Sequence, residues 1–252
     1  ALLYSSQNMG LEKGRIRLMR QLFERVLCIL PFEPEIYRAV GIPALYVGNP
    51  LIDELPLNLS RAKARESLGL PPEGQGLVLT LMPGSRPAEL KEHFELFLDT
   101  ALAVARQLAS PIDALVPLAP TTSAVPYELR LQTWIQINST QGAAHLLRPR
   151  LVPDRAHECL AAADAGIIKS GTSTLEAGLL GCPHVVVYKT TALTAWIFRT
   201  FVRYRGPIGL VNLFLGHRDR KSCPFHEILG DEVTLPHLMQ ETISLLTDHP
   251  RR

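Results

Sequence analysis

One loop of the chain combines glycine and hydroxyl residues at the place where an apolar run meets a predicted helix. The apolar run covers residues 165–168, and the loop after it consists of Ser170, Gly171, Thr172 and Ser173. Such a loop presents backbone N–H groups and hydroxyls above a sheet, and the start of a helix carries partial positive charge, so phosphate is the expected ligand. Glu176, one turn into the helix, could accept hydrogen bonds from sugar hydroxyls. The segment therefore predicts a site for a nucleotide-sugar diphosphate.

The same segment also has a purely structural interpretation. Ser173 and Glu176 are three residues apart, which is the spacing of a capping box. In a capping box the serine and the glutamate satisfy the first N–H groups of a helix, and neither side chain contacts a ligand. This segment alone leaves both interpretations open.

A second loop has residue types that suit the same ligand. Gly84, Ser85 and Arg86 follow the apolar run 76–81, and a guanidinium can donate two parallel hydrogen bonds to a phosphate. The alternative is a surface ion pair between Arg86 and Glu89. Both loops follow predicted strands, so we expect them to face one crevice and to bind a diphosphate together.

The residues give no sign of a metal or of a covalent nucleophile. The chain lacks an Asp-x-Asp pair of carboxylates, which could hold a divalent ion and a diphosphate together. His217, Cys223 and His226 are the only cluster of metal-ligand residue types, and they lack an obvious fourth ligand. His157 is most simply a helix residue. We expect no metal and no other cofactor, and the residues assign no catalytic group.

Composition is that of an ordinary globular protein. Of 252 residues, 46% are hydrophobic and 20% charged, and the net charge of +2 gives no general attraction to nucleic acid. The four cysteines are far apart in sequence, which favours a reducing compartment over a disulfide framework. No apolar run is long enough to span a bilayer, and no signal peptide is recognisable. Because residues 1–4 look like a strand entered midway, we expect the chain to be a fragment with an upstream part.

Short apolar runs alternate with helical patterns along the chain. Predicted strands cover 1–4, 26–30, 44–48, 76–81, 114–118, 145–147, 165–168 and 184–188, and predicted helices cover 15–25, 33–40, 60–68, 89–108, 125–134, 154–162, 193–202 and 235–247, with Asp154 as a helix cap. Repeated units of this kind predict an α/β fold with a Rossmann-like, doubly wound parallel sheet. Residues 49–59 contain two prolines and two carboxylates and are the best candidate for a linker. We therefore expect one domain within 1–55 and a second within 56–252.

One segment suggests contact with a lipid surface. Between Leu193 and Arg205, four aromatic residues alternate with three arginines, which is typical of a helix lying at a membrane interface. The structural alternative is a helix packed on the sheet with a solvated basic face. The basic helix predicted over 15–25 has the same alternative.

The order of segments along the chain resembles the lipid-A-disaccharide synthase family. The resemblance runs through residues 30–37, 46–53, 82–90, 170–176 and 211–213 and extends over nearly the whole chain. It implies a metal-independent glycosyltransferase of the two-Rossmann-domain (GT-B) type. Such an enzyme transfers 2,3-diacylglucosamine from UDP to the glycolipid 2,3-diacylglucosamine 1-phosphate at the cytoplasmic side of the inner membrane. It also implies that Arg86 and the loop from Ser170 to Thr172 contact the diphosphate, that Glu176 contacts the ribose, and that Asn212 lies near the donor.

The chain also departs from the family pattern. The resemblance implies that an aspartate upstream of residue 1 is the general base and that the N-terminal domain here is incomplete, with further helices expected after Arg252. His217 stands where the family usually has arginine, and Arg218 is a candidate substitute. Two alternatives stay open: a UDP-sugar epimerase or hydrolase on the same fold, and a diverged, non-catalytic nucleotide-sugar-binding module.

Overall fold

The computed structural model describes residues 2–4, 13–140, 145–189 and 206–248. Within these residues the strands are β1 (Leu2–Tyr4), β2 (Arg25–Cys28), β3 (Ala44–Tyr46), β4 (Leu77–Met82), β5 (Ile112–Leu118), β6 (Leu147–Pro153), β7 (Ala165–Lys169), β8 (His184–Tyr188) and β9 (Glu227–Leu229). The α-helices are α1 (Lys13–Leu22), α2 (Glu33–Ala39), α3 (Leu51–Glu54), α4 (Arg61–Ser67), α5 (Pro87–Leu108), α6 (Val125–Thr140), α7 (Ala156–Ala162), α8 (Thr172–Leu179), α9 (Leu210–Phe214) and α10 (Leu235–Thr247). Short 3₁₀ turns cover Arg220–Ser222 and Gly230–Glu232.

The larger of the two sheets is parallel throughout and has the strand order β6-β5-β4-β7-β8-β9. Numbered within the sheet, this is the order 3-2-1-4-5-6 of a Rossmann fold. The predicted α/β, doubly wound architecture is therefore confirmed. The strand order reverses between β4 and β7, and ligands of such sheets bind beyond the carboxyl ends of the strands at that point.

Helices cover both faces of this sheet, which explains why its central strands read as continuous apolar runs. Leu79 and Leu81 of β4 belong to the core cluster that includes residues of α5, α6 and α10. Val78, which alternates with them along the strand, packs on the other face against Ala64 of α4 and Cys159 of α7. The helix α5 keeps its buried residues on one stripe, as its spacing predicts.

A buried ion pair ties together the amino ends of β4 and β7. Arg65 of α4 is only 1% exposed, and its guanidinium donates to Asp164 at 2.7 Å and to the carbonyl of Ala162 at 3.0 Å. Asp164 also accepts the backbone N–H of Val78 at 2.9 Å. These bonds satisfy charges that would be costly to bury alone. They fix the amino ends of these central strands, whereas ligands are expected beyond the carboxyl ends.

Two local predictions are wrong. The strand predicted at 145–147 begins at Leu147 and continues to Pro153. It can continue through Pro149 because β6 is an edge strand, in which the missing N–H of a proline can be tolerated. Asp154 does not cap α7. It lies in the left-handed region at φ 57° with its N–H donated to Leu118, and the helix begins after Arg155.

Other predicted elements agree in type with small changes of boundary. The helix predicted to end at 134 continues to Thr140, and the N-terminal helix begins at Lys13 and ends at Leu22. Ser60 caps α4, as predicted, by accepting the N–H of Lys63. The helix predicted over 193–202, together with the whole segment from Leu193 to Arg205, lies outside the described residues.

The smaller sheet has the order β1-β2-β3 and packs against the larger unit through apolar side chains. Leu30, just after β2, is buried against Leu175 of α8 and Leu210 of α9. An exposed ion pair between Glu35 and Arg218, 3.3 Å apart, also joins the two units. The predicted boundary between residues 55 and 56 falls between the residues of the two sheets and stays a prediction.

Candidate functional site

A cleft of about 1820 Å³ lies beyond the carboxyl ends of the strands in the larger sheet. Its walls include residues that follow β4, β5, β6, β7 and β9 and the last residue of β8, and Leu30 and Glu33 of the smaller unit also line it. The cleft therefore lies where this sheet topology places a ligand.

The two predicted loops meet in this cleft. β4 and β7 are hydrogen-bonded neighbours, with Met82 beside Ile168 at their carboxyl ends. The loops that follow these strands therefore start side by side. The cleft is lined by Gly84, Ser85 and Arg86 from one loop and by Ser170, Gly171, Thr172 and Ser173 from the other. The prediction that the two loops face one crevice is confirmed.

The loop after β7 leaves only part of its hydrogen-bonding capacity for a ligand. Ser170 donates its backbone N–H to Val187 at 2.7 Å and its hydroxyl to Ile208 at 3.1 Å, so both of its donors are used within the protein. The N–H groups of Gly171, Thr172 and Ser173 have no acceptor among the described residues. These three N–H groups lie at the start of α8 and are the donors available to an anion.

The capping-box interpretation of this segment is wrong. The N-cap residue of α8 is Gly171, no side chain caps the helix, and Ser173 already lies inside it. Thr174 instead donates its hydroxyl to the carbonyl of Gly171 at 2.9 Å. Glu176 is therefore not needed to begin the helix, and its carboxylate lines the cleft.

Glu176 lies opposite a histidine that the sequence did not single out for the site. The Glu176 side chain is 15% exposed, and its Oε2 lies 3.8 Å from Nε2 of His157. Burial raises the pKa of Glu176, the charge of His157 lowers it, and Glu54 raises it further. His157 belongs to α7, as its helical pattern predicted, and it also lines the cleft. Its position two residues into a helix that follows β6 is the signal that could have found it.

Arg86 does form the predicted ion pair with Glu89, but this contact does not bury it. Its Nη1 lies 3.3 Å from Oε1 of Glu89, and the arginine side chain remains 80% exposed beside the cleft. Glu89 also accepts the backbone N–H groups of Ser85 and Arg86. The ion pair and the role in ligand binding are therefore compatible.

Lys169, the last residue of β7, completes this group. Its Nζ lies 2.8 Å from the same Oε1 of Glu89 that contacts Arg86. Burial raises the pKa of Glu89, but the hydrogen bond and charge of Lys169 and the two backbone N–H groups outweigh burial and leave that pKa below its ordinary value. A charged residue ending an apolar strand was the sequence signal for this lysine.

Asn212 does not reach the cleft in this structure. It is fully buried in α9, and its Nδ2 donates to the carbonyl of Phe225 and to Oε1 of Glu227, both at 2.8 Å. Glu227 in turn accepts the backbone N–H groups of Ile208 and Gly209. Asn212 and Glu227 therefore hold the segment before α9, and Ile208 in that segment lines the cleft.

Two of the three residues with metal-ligand types, His226 and Cys223, have other partners. His226 lies 2.7 Å from Glu241, and the thiol of Cys223 donates to the carbonyl of Asp219. In the described part of the chain, no three His, Cys, Asp or Glu side chains are grouped as a metal ion would require. All four cysteines are free. No helix in the described segments is long and apolar enough to cross a membrane.

Comparisons with known proteins converge on one family. The family model described as "Lipid-A-disaccharide synthetase" matches residues 11–251. The lipid-A-disaccharide synthase of Alkalilimnicola ehrlichii is 36% identical over 248 residues, covering 98% of this chain and 60% of the relative. That of Myxococcus xanthus is 34% identical, covering 91% of this chain and 55% of the relative. The chain thus spans little more than half the length of these relatives.

A solved structure has the same fold. Alr3699/HepE from Anabaena, crystallised in complex with UDP and glucose, matches 99% of this chain and 62% of its own with a TM-score of 0.51. Its sequence identity of 13% means that the likeness concerns the fold alone. That fold is the Rossmann-like α/β architecture of GT-B proteins that the sequence predicted.

Proposed function

Because the chain belongs to the lipid-A-disaccharide synthetase family, we propose that it carries the donor-binding part of a glycosyltransferase of lipid A biosynthesis. The substrates proposed are a UDP-linked 2,3-diacylglucosamine and the glycolipid acceptor 2,3-diacylglucosamine 1-phosphate, with UDP as the leaving product. The observation that supports this proposal most strongly is the meeting of two phosphate-suited loops at the switch point of the sheet.

Each proposed contact follows from the groups left available in the cleft. The N–H groups of Gly171, Thr172 and Ser173 and the guanidinium of Arg86 would bind the diphosphate, close to Gly84 and Ser85. The carboxylate of Glu176 would accept the hydroxyls of the ribose. Asn212 would act indirectly, because it bonds to Glu227, which in turn holds the backbone of Ile208 at the wall of the cleft.

The proposed chemistry is attack of an acceptor hydroxyl on the anomeric carbon of the donor sugar. A general base removes the hydroxyl proton, the new glycosidic bond forms, and the bond from the anomeric carbon to the diphosphate breaks. The leaving UDP then carries the extra negative charge, which Arg86 and the start of α8 would stabilise. We propose that the base is an aspartate outside these 252 residues.

Positive charge from the protein makes a divalent ion unnecessary in this proposal. Arg86 and the residues at the start of α8 line the cleft in which the diphosphate is proposed to bind. UDP affinity should therefore be the same with and without a chelator such as EDTA. A large loss of affinity on chelation would contradict metal independence.

Titration with UDP tests the proposed donor site directly. We expect Arg86→Ala and Glu176→Ala each to weaken UDP binding by about 1–3 kcal/mol, the cost of losing a charged hydrogen bond. Arg106→Ala, which removes an exposed arginine at the far end of α5, is the control and should leave binding unchanged. Unchanged affinity in both cleft variants would reject the site.

We further propose that the protein works at the cytoplasmic face of the inner membrane, where its glycolipid substrate would be. The sequence between Leu193 and Arg205 supports this with its mixture of aromatic and basic residues. Vesicles containing anionic lipid should bind the protein in a salt-sensitive manner. Replacement of Arg199 and Arg203 by glutamine should weaken that association, and equal binding of the variant would contradict the proposal.

A further inference from the structure

The ammonium group of Lys169 reaches the cleft at the point where the two loops meet. Its side chain is 18% exposed and lines the cleft, and its Nζ lies 2.8 Å from Glu89. An ammonium has three N–H donors. Glu89 is its acceptor among the described residues, so two donors remain for a ligand oxygen.

Several donors that the loops would offer to a phosphate are already used. The backbone N–H groups of Ser85 and Arg86 are bonded to Oε2 of Glu89, and both donors of Ser170 are bonded within the protein. Binding of a phosphate at this position would therefore depend mainly on cationic side chains, and less on the N–H and hydroxyl groups of the loops than the loop sequences suggest. Arg86 and Lys169 share the single carboxylate of Glu89, so the group retains an excess of positive charge.

We propose that Lys169 is a second cation for the diphosphate of the donor and that Glu89 positions it. This inference rests on the proposed function and adds a residue to it. Glu89 holds Lys169 and Arg86 through one oxygen and the loop after β4 through the other. Because both cations are held beside the start of α8, they would stabilise the charge that develops on the leaving diphosphate without rearrangement of the loops.

A contact to the diphosphate predicts dependence on the phosphate content of the ligand. We expect Lys169→Met to weaken UDP binding about tenfold or more, the range for a lost charged hydrogen bond. Binding of uridine should change less than about twofold, because uridine has no phosphate for the ammonium to contact. UMP should lose an intermediate amount, and Lys169→Arg should retain most of the UDP affinity.

A second lysine in the same cleft provides the matched control. Lys221 lines the cleft from the 3₁₀ turn Arg220–Ser222, on a different element from the two loops. Lys221→Met removes the same charge from the cleft, and we expect it to weaken UDP binding much less than Lys169→Met. Thermal unfolding of each variant establishes that the protein is folded under the titration conditions.

The possible outcomes separate this inference from the donor site itself. If Arg86→Ala weakens UDP binding and Lys169→Met does not, the inference is overturned and the donor site stands. Equal losses for Lys169→Met and Lys221→Met, or equal losses for UDP and uridine, would also overturn it, because they indicate a general field or a distorted pocket. A wild-type protein that fails to bind UDP would overturn both proposals.

Discussion

Glu176 is a carboxylate in a position that does not favour its charged form. It is largely buried, and burial is the main cause of its raised pKa, which exceeds the opposing effect of His157, whose Nε2 lies 3.8 Å away. Groups whose pKa is shifted by burial within a cleft are frequent at functional sites. Burial therefore disfavours the charged form of Glu176 at the place where the proposed ribose contact requires an acceptor.

This conflict predicts that Glu176→Gln stabilises the ligand-free protein at neutral pH. Because the folded pKa lies above the unfolded value, the folded state binds the proton more tightly, and the wild type loses stability as the pH rises through that range. The gain from Glu176→Gln should be fully present above the folded pKa and should disappear as the pH falls below 4.5, the ordinary pKa of a glutamate side chain. Urea unfolding between pH 4 and pH 8 measures the difference.

A control variant separates this effect from a general change in charge. Glu66 is exposed on α4, so Glu66→Gln should leave stability nearly unchanged at every pH. If Glu176→Gln proves less stable than the wild type at neutral pH, then burial of the carboxylate is not what dominates at this position.

At the scale of elements, the sequence predicted strand–loop–helix units well and the use of their polar groups poorly. The apolar runs before Gly84 and Ser170 identified β4 and β7, because strands that are covered on both faces consist almost entirely of apolar residues. The bond from Ser170 to Ile208 joins residues 38 positions apart, and no local pattern indicates it. Edge strands such as β6 are also hard to recognise, since one side of the strand needs no partner.

Gly84 shows how the geometry of one loop depends on its neighbour. It has φ of 117°, and a Cβ at this position would lie 2.5 Å from Oε2 and 2.7 Å from Cβ of Glu89. The carboxylate that holds Ser85 and Arg86 therefore occupies the space where a side chain would stand.

We expect Gly84→Ala to displace Glu89 and to weaken UDP binding, in addition to a strain of about 1–3 kcal/mol from the positive φ. Gly74→Ala is the matched control, because Gly74 has φ of 80° and nothing within 4 Å of the added Cβ. Both variants should lose stability, and only Gly84→Ala should also lose UDP affinity. Equal UDP affinity in the two variants would indicate that Glu89 does not organise the loop.

At the scale of the whole molecule, the cleft depends on contact between two units with separate sheets. Leu30 and Glu33 from the smaller unit line the cleft whose other walls come from the larger one. Among the described residues, the contacts between the units include the apolar cluster around Leu30 and the exposed ion pair between Glu35 and Arg218. Buried apolar area contributes far more to stability than an exposed ion pair.

The two contacts should therefore respond very differently to truncation. Leu30 is 2% exposed between Leu175 and Leu210, so Leu30→Ala should cost about 2–5 kcal/mol of the free energy of unfolding. Arg218→Ala should cost about 0–1 kcal/mol, because both partners of its ion pair are well exposed and screened by solvent. Urea unfolding at neutral pH compares the two variants. A loss for Arg218→Ala as large as that for Leu30→Ala would mean that charge, rather than apolar packing, joins the units, since both variants remove a contact across the same boundary.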